Sequence, residues 1–252
     1  MPLIDEEEGM SEKRTFVLLH GGRHGGWCWI RVARLLRAAG HEVYTPTMTG
    51  LGERAHLLAP EVGLQTHIHD LVAVFEFEDI TDAILVAHSA GGNVAAGAME
   101  QIGDRVHHLV HLDSFMPLSG ESAMDIVGPE LAGALKATAD ADGEGWYLPT
   151  TDASFYGVTE PGDNAWVNSK LTAQPLKVYT DPVGETGRFW SHPGTYVVCQ
   201  PSTIQPHIRE RARKRSETDE HFDFQTIESA HDAMVIRPDL LTALLLKVAE
   251  GE

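Results

Sequence analysis

Long apolar runs are missing from this 252-residue chain. No stretch of about 18 hydrophobic residues occurs, so no membrane-spanning helix is expected. Cysteine is scarce as well: Cys28 and Cys199 cannot build a disulfide framework, and both read as small buried hydrophobes. Basic charge is outweighed, with 19 Lys and Arg against 37 Asp and Glu and a net charge of -18. Such a surface repels phosphate backbones and anionic membranes, so neither nucleic acid nor membrane is an expected partner. The one dense basic run, from Ile208 to Glu217, reads as the solvated face of a helix. The N-terminal MPLIDEEEGMSEKR lacks the apolar core of a signal peptide, so a cytoplasmic location is expected, with residues 1–13 a disordered leader. Repeats and low-complexity tracts are absent too.

What is present is alternation. TFVLLHG, from Thr15 to Gly21, is a short continuous apolar run ending in glycines, the pattern of a strand buried on both faces. A helix is predicted from Trp27 to Ala39, a strand in HEVYTPT, a helix from Leu64 to Phe77 and a strand around Val86. A helix to about Gln101 and the strand VHHLVHLDS, Val106 to Ser114, come next. After residue 193 alternation resumes with TYVVCQ, a helix near Pro206 to Ser216, the strand FDFQTIES and a closing helix from Pro238 to Ala249. This order predicts a doubly wound, mainly parallel α/β sheet of about six strands. Residues 115–193 break the pattern and read as an inserted cap on a core made of 14–114 and 194–252.

In an open α/β sheet the chemistry gathers at the C-terminal strand ends. Those ends carry His20-Gly21-Gly22, Ser89, Asp113 and, in IESAHDAM, His231. A serine hydroxyl needs a base, and an imidazole needs a carboxylate to set its tautomer. Ser89 as nucleophile, His231 as base and Asp113 as acid fill those roles. The stretch AHSAGG departs from G-x-S-x-G by placing Ala87 first, yet it follows a buried strand and opens a helix, as a nucleophile elbow must. Acyl transfer also needs backbone N–H donors for an oxyanion, and Gly22 and Ala90 are the candidates.

Together, FVLLHGGRHGGWCWIRVARLLRAAGHEV, TGLGERAHLL, LVAHSAGG, VHLDSFMP and AHDAMVIRP resemble the α/β-hydrolase superfamily. The resemblance is to the branch of plant methylesterases, hydroxynitrile lyases and bacterial pyrethroid-type carboxylesterases, with the bacterial esterases the nearer match. It implies a cofactor-free serine hydrolase with a helical cap. In the plant members the triad acid follows the strand after the cap, where this chain has Ser202; the resemblance also permits the acid one strand earlier, at Asp113. Hydroxynitrile lyases of the branch carry a threonine after the first-strand histidine and a lysine after the catalytic one, where this chain has Gly21 and Asp232.

The cap contributes aromatics, and Trp146, Phe155, Trp166 and Trp190 are taken as substrate-binding candidates together with His20 and His88. The apolar set and the negative charge point to a neutral, hydrophobic carboxylic ester as the partner. No metal is expected: His67 and His69, or His107, His108 and His111, offer at most two converging ligands. A lyase or cyclase on the same scaffold and a non-catalytic small-molecule receptor are the alternatives. Oligomeric state is left open, a homodimer included.

Overall fold

Strand β1, Thr15–Leu19, shows why the first apolar run is continuous. Its alternate residues serve two cores. Phe16 and Leu18 belong to the one that holds Val32 and Leu36, and Val17 and Leu19 to the one that holds Leu71 and Phe75. The computed structural model describes residues 13–202 and 204–251; the expected leader, Lys13 aside, falls outside them.

In chain order, β1 leads through a 3-10 turn, Gly26–Trp29, into α1 (Ile30–Ala38), then β2 (Glu42–Tyr44), α2 (Leu64–Phe77), β3 (Ala83–His88), α3 (Gly91–Ile102) and β4 (Val106–Leu112). Next come α4 (Ala123–Val127), α5 (Pro129–Asp142), β5 (Tyr147–Leu148), α6 (Pro161–Asn168), β6 (Gln174–Pro175), α7 (Lys177–Thr180) and α8 (Gly187–Ser191). The chain closes with β7 (Gly194–Cys199), α9 (Pro206–Ser216), β8 (Phe222–Ile227), α10 (Ala233–Ile236) and α11 (Pro238–Glu250). The predicted helix at Trp27 thus begins as a 3-10 turn, at Gly26, whose backbone packs against Thr45 O too closely for a side chain.

Six strands form one parallel sheet in the order β2-β1-β3-β4-β7-β8. Buried residues of α1, α10 and α11 cover one face, and those of α2, α3, α8 and α9 the other. This is the predicted doubly wound architecture. Residues between β4 and β7 leave the sheet, and besides helices they contain an antiparallel ribbon, β5 with β6, that the sequence pattern did not reveal. Among the described residues no helix is long and apolar enough to cross a membrane.

The basic run became α9, and most of it is the salt-laced surface expected, with Arg213 bonded to Glu210 and Glu217. Arg215 is the exception. It is 8% exposed, pairs with Asp219 and lies 4.0 Å over the Phe222 ring, so it caps a core edge.

Strand order reverses direction between β1 and β3, and a crevice at such a switch point is where the fold holds ligands. Tight packing there rests on small residues at the start of α3. A Cβ on Gly92 would sit 2.1 Å from the Phe115 carbonyl oxygen, which is backbone and cannot step aside. Gly92→Ala should therefore destabilise the protein by about 1–3 kcal/mol, read as a lower urea midpoint at unchanged slope.

Candidate active site

The bend between β3 and α3 is made at Ser89. Its φ is 54°, a left-handed backbone uncommon for a residue with a Cβ. The bend is held from several sides. Ser89 N–H donates to Leu112 O at 3.3 Å, while Ser89 O accepts from Gly92 N–H and Phe115 N–H, both at 3.0 Å, and from Ser114 Oγ at 3.1 Å. A Cβ on Gly21 would come within 2.8 Å of the Ser89 Cβ, and one on Gly91 within 2.7 Å of His20 O. The glycines flanking the serine are thus demanded by contact.

His231 Nδ1 lies 2.6 Å from Asp113 Oδ2. Asp113 is fully buried, and its other oxygen accepts from Ser202 Oγ at 2.6 Å and Cys199 N–H at 3.3 Å. Ser202 therefore stands after β7 as a donor to a carboxylate that β4 supplies. The geometry allows this because β4 and β7 are neighbours, and Asp113 N–H continues their ladder to Val197 O at 2.8 Å. An acid at either strand end can reach the same imidazole. With Nδ1–H spent on Asp113, Nε2 is the free ring nitrogen. Ser89 and His231 line the same cleft, and among the described residues the Ser89 hydroxyl makes no hydrogen bond.

Of the two candidate N–H donors, Gly22 lines this cleft as well, and Ala90 directly follows Ser89 in the chain. Neither donates to a protein acceptor among the described residues. The Gly21–Gly22 peptide is fixed from behind. His20 Nε2 accepts from Met48 N–H at 3.1 Å, so its proton is on Nδ1, which donates to Gly21 O at 2.7 Å. Gly21 C=O and Gly22 N–H belong to one peptide plane, so the bond on the first aims the second. Burial pushes the His20 pKa down to about 3, which keeps the ring neutral.

Near His231 lies a second polar group. His24 Nδ1 bonds to Gly22 O at 2.8 Å, and its Nε2 meets Asp232 Oδ2 at 3.0 Å. A carbonyl and a carboxylate can only accept, so both nitrogens carry protons and the pair is ionic. Burial opposes the charge, but Asp232 outweighs it and the His24 pKa is raised. His88 donates from Nε2 to His231 O at 3.1 Å, and burial holds its pKa well below the usual range.

The cleft encloses about 640 Å³ of empty space, its open mouth included. Phe115, Val127, Leu131, Leu135, Phe155 and Ile204 give it an apolar wall, and Arg23, Tyr156, Tyr179 and Gln205 add polar groups. Of the substrate-binding candidates read from the sequence, Phe155 is in this lining. Trp166 packs on Trp27 under the Arg31 guanidinium, Trp190 donates to Pro117 O, and Trp146 bonds to Glu144, all three outside it. His20 and His88 act on backbone instead. The aliphatic wall from α4 and α5 was missed because Val127, Leu131 and Leu135 carry no signal beyond helical spacing.

The histidine pairs weighed as metal ligands do not gather. His67 bonds to Thr49 O, His69 to Gln65, His107 to Asp82 and His108 to Thr195, while His111 is fully buried among Phe189, Tyr196 and Phe222. The one group close enough for an ion among the described residues is His88, His231 and Asp232, and each of these already makes a hydrogen bond described above.

Comparison with known proteins places this geometry in context. The model of the family described as "Alpha/beta hydrolase family" matches residues 16–244. The chain is 40% identical over 177 residues to the carbendazim hydrolyzing esterase of Nocardioides sp. (strain SG-4G), covering 67% of this chain and 72% of that protein. It is 29% identical over 268 residues to esterase PIR7B of Oryza sativa subsp. japonica, covering 96% and 98%. Among solved structures, an extracellular alpha/beta-hydrolase from a Paenibacillus species superposes with a TM-score of 0.81 at 24% identity, covering 93% and 98%, a likeness of fold.

The buried His24–Asp232 pair ties stability to pH. A histidine pKa raised above its ordinary 6.5 contributes stability that is fully present below about pH 6.5 and is lost as pH rises through the raised value. Asp232→Asn removes the partner that raises it. The melting-temperature gap between the native protein and Asp232→Asn should therefore be widest near pH 6 and narrow toward pH 9, followed by circular dichroism. A gap that stays flat or widens with pH would count against an ionic pair.

Proposed function

The chain belongs to the alpha/beta hydrolase family, and from that premise we propose that it cleaves small, predominantly hydrophobic carboxylic esters through an acyl-enzyme on Ser89. It is an enzyme of the carboxylesterase type, in keeping with the esterase names of its relatives. The observation that carries the finer reading is the 2.6 Å His231–Asp113 contact, set in one apolar cleft with a serine on a left-handed bend.

The reaction follows from the groups in place. His231 Nε2 takes the Ser89 proton as Oγ attacks the ester carbonyl, and the Asp113 carboxylate stabilises the imidazolium that forms. Gly22 and Ala90 N–H donate to the oxyanion, worth about 3–4 kcal/mol per donor in comparable sites. Collapse expels the alcohol, which takes the proton from His231. Water then attacks the acyl group with His231 again as base, releasing the acid and restoring Ser89. Residues 115–193 act as a cap on the core of 14–114 and 194–252, since α4, α5 and the 3-10 turn Ala153–Tyr156 supply most of the apolar wall. Burying a substrate against that wall contributes about 25 cal/mol per Å², so turnover should favour apolar bodies over very short ones. A cytoplasmic location is part of the proposal, supported by Cys28 and Cys199 being buried free thiols.

Two experiments test it. A fluorophosphonate should label the protein at Ser89 alone, located by peptide mass spectrometry, because only a base-activated hydroxyl reacts at a useful rate. Active protein left unlabelled there would remove the nucleophile. Asp113→Asn should lower kcat by about 10³- to 10⁴-fold with the fold retained. Neutralising Asp219, Glu220, Asp223 or Glu228 should each cost about tenfold or less.

A further inference from the structure

Arg23 interrupts the apolar wall. It directly follows Gly22, and its φ of 64° is a backbone region that favours glycine, yet the residue here is the largest cation available. Its side chain is buried, with the residue only 7% exposed. Nε donates to Pro149 O at 2.8 Å, the guanidinium lies within reach of the Tyr156 hydroxyl, and among the described residues no carboxylate pairs with it. Arg215, buried to the same extent, pairs with Asp219 at 3.0 Å. A sequestered guanidinium without a counter-ion is costly unless a ligand supplies one.

A second orphan stands beside it. Tyr156 is 6% exposed, and its buried hydroxyl lies against the guanidinium with no protein acceptor for its own proton among the described residues. Burial pushes its pKa up, so it remains a protonated donor. Arg23 and Tyr156 both line the cleft that holds Ser89 and His231. A guanidinium without a carboxylate and a hydroxyl without an acceptor thus stand together in a largely apolar cleft.

We propose that Arg23 and Tyr156 form a carboxylate subsite, and that the substrates are small amphipathic esters bearing a free carboxylate away from the scissile bond. This rests on the esterase reading and refines it: the body of the molecule is hydrophobic, but it is not neutral throughout. A planar guanidinium matches two carboxylate oxygens. One cation in a protein of net charge -18 balances a single negative charge, which favours a carboxylate over a doubly charged phosphate monoester.

The test compares p-nitrophenyl esters of four to eight carbons whose acyl chain ends in a carboxylate, a neutral methyl ester or a methyl group. A matching series places the terminal group on the alcohol side. At the best length and side, the native enzyme should turn over the carboxylate with kcat/KM about ten- to a hundredfold above the methyl-terminated analogue, mostly through KM. Arg23→Met should abolish or invert that ratio, and Arg23→Lys should restore part of it. Equal or better use of the neutral analogues at every length overturns the subsite. So does Arg23→Met slowing all three classes by one common factor, which is what a purely structural arginine would do. Calorimetric binding of non-hydrolysable methyl ketones ending in a carboxylate or a methyl group reads the subsite without turnover. Arg23-dependent binding of the acid with no ester hydrolysed would uphold the subsite and sink the esterase reading alone.

Discussion

The left-handed bend at Ser89 is the constraint on which the rest of the site depends. A serine at φ 54° projects its hydroxyl from the top of the sheet only if the chain on every side lets the backbone turn there. Gly21 must lack a side chain because the Ser89 Cβ occupies that space, and Gly91 because the His20 carbonyl does. The end of β4 closes the arrangement. Leu112 O, Phe115 N–H and Ser114 Oγ all bond to the Ser89 peptide groups, so the strand that carries Asp113 also holds the bend. Ser89 and Asp113 are thus positioned by one set of backbone contacts.

That coupling explains how the carboxylate can stand on β4. The imidazole of His231 needs an acceptor for Nδ1–H, and the sheet offers two adjacent strand ends within reach. Once Asp113 takes the position, its second oxygen would be buried and unsatisfied without donors. Ser202 Oγ and Cys199 N–H, both from the β7 side, supply them. A second carboxylate at position 202 would instead set two negative charges against each other in the same buried space. Serine after β7 and aspartate after β4 therefore form a matched pair.

Much of this was legible in the sequence, and the physical reasons are specific. Strands such as TFVLL and AILVAH are buried on both faces, so they read as unbroken apolar runs, and α2 was found from Leu64 to Phe77 because its spacing is periodic. The strand-end residues stood out because reactive groups beside glycines are rare. Residues 115–193 were read least well. Their ribbon strands are two residues each, too short for any period, and their tryptophans turned out to pack or cap rather than line the cleft. Arg23 was passed over since nothing in HGGRHGG distinguishes a buried guanidinium from a solvated one. The signal was its place between Gly22 and His24, in the turn that follows β1 at the C-terminal end of the sheet.

Four histidines, at 20, 24, 88 and 231, crowd a site whose proposed chemistry needs one base, and burial divides their work. His20 and His88 are kept neutral by desolvation, so each can donate one hydrogen bond to a backbone carbonyl and never competes for a proton. His24 is driven the other way by Asp232 and is already protonated on both nitrogens, so it cannot accept. Only His231 combines a carboxylate on one nitrogen with a second nitrogen open to the cleft. The three others act on the backbone around it, His20 on Gly21, His24 on Gly22 and His88 on His231 itself. In the proposed mechanism, selecting one base therefore rests on the fixed protonation of its neighbours. Among the described residues Arg23 lines the same cleft without a carboxylate partner, and this is the charge that the proposed subsite leaves for a substrate to answer.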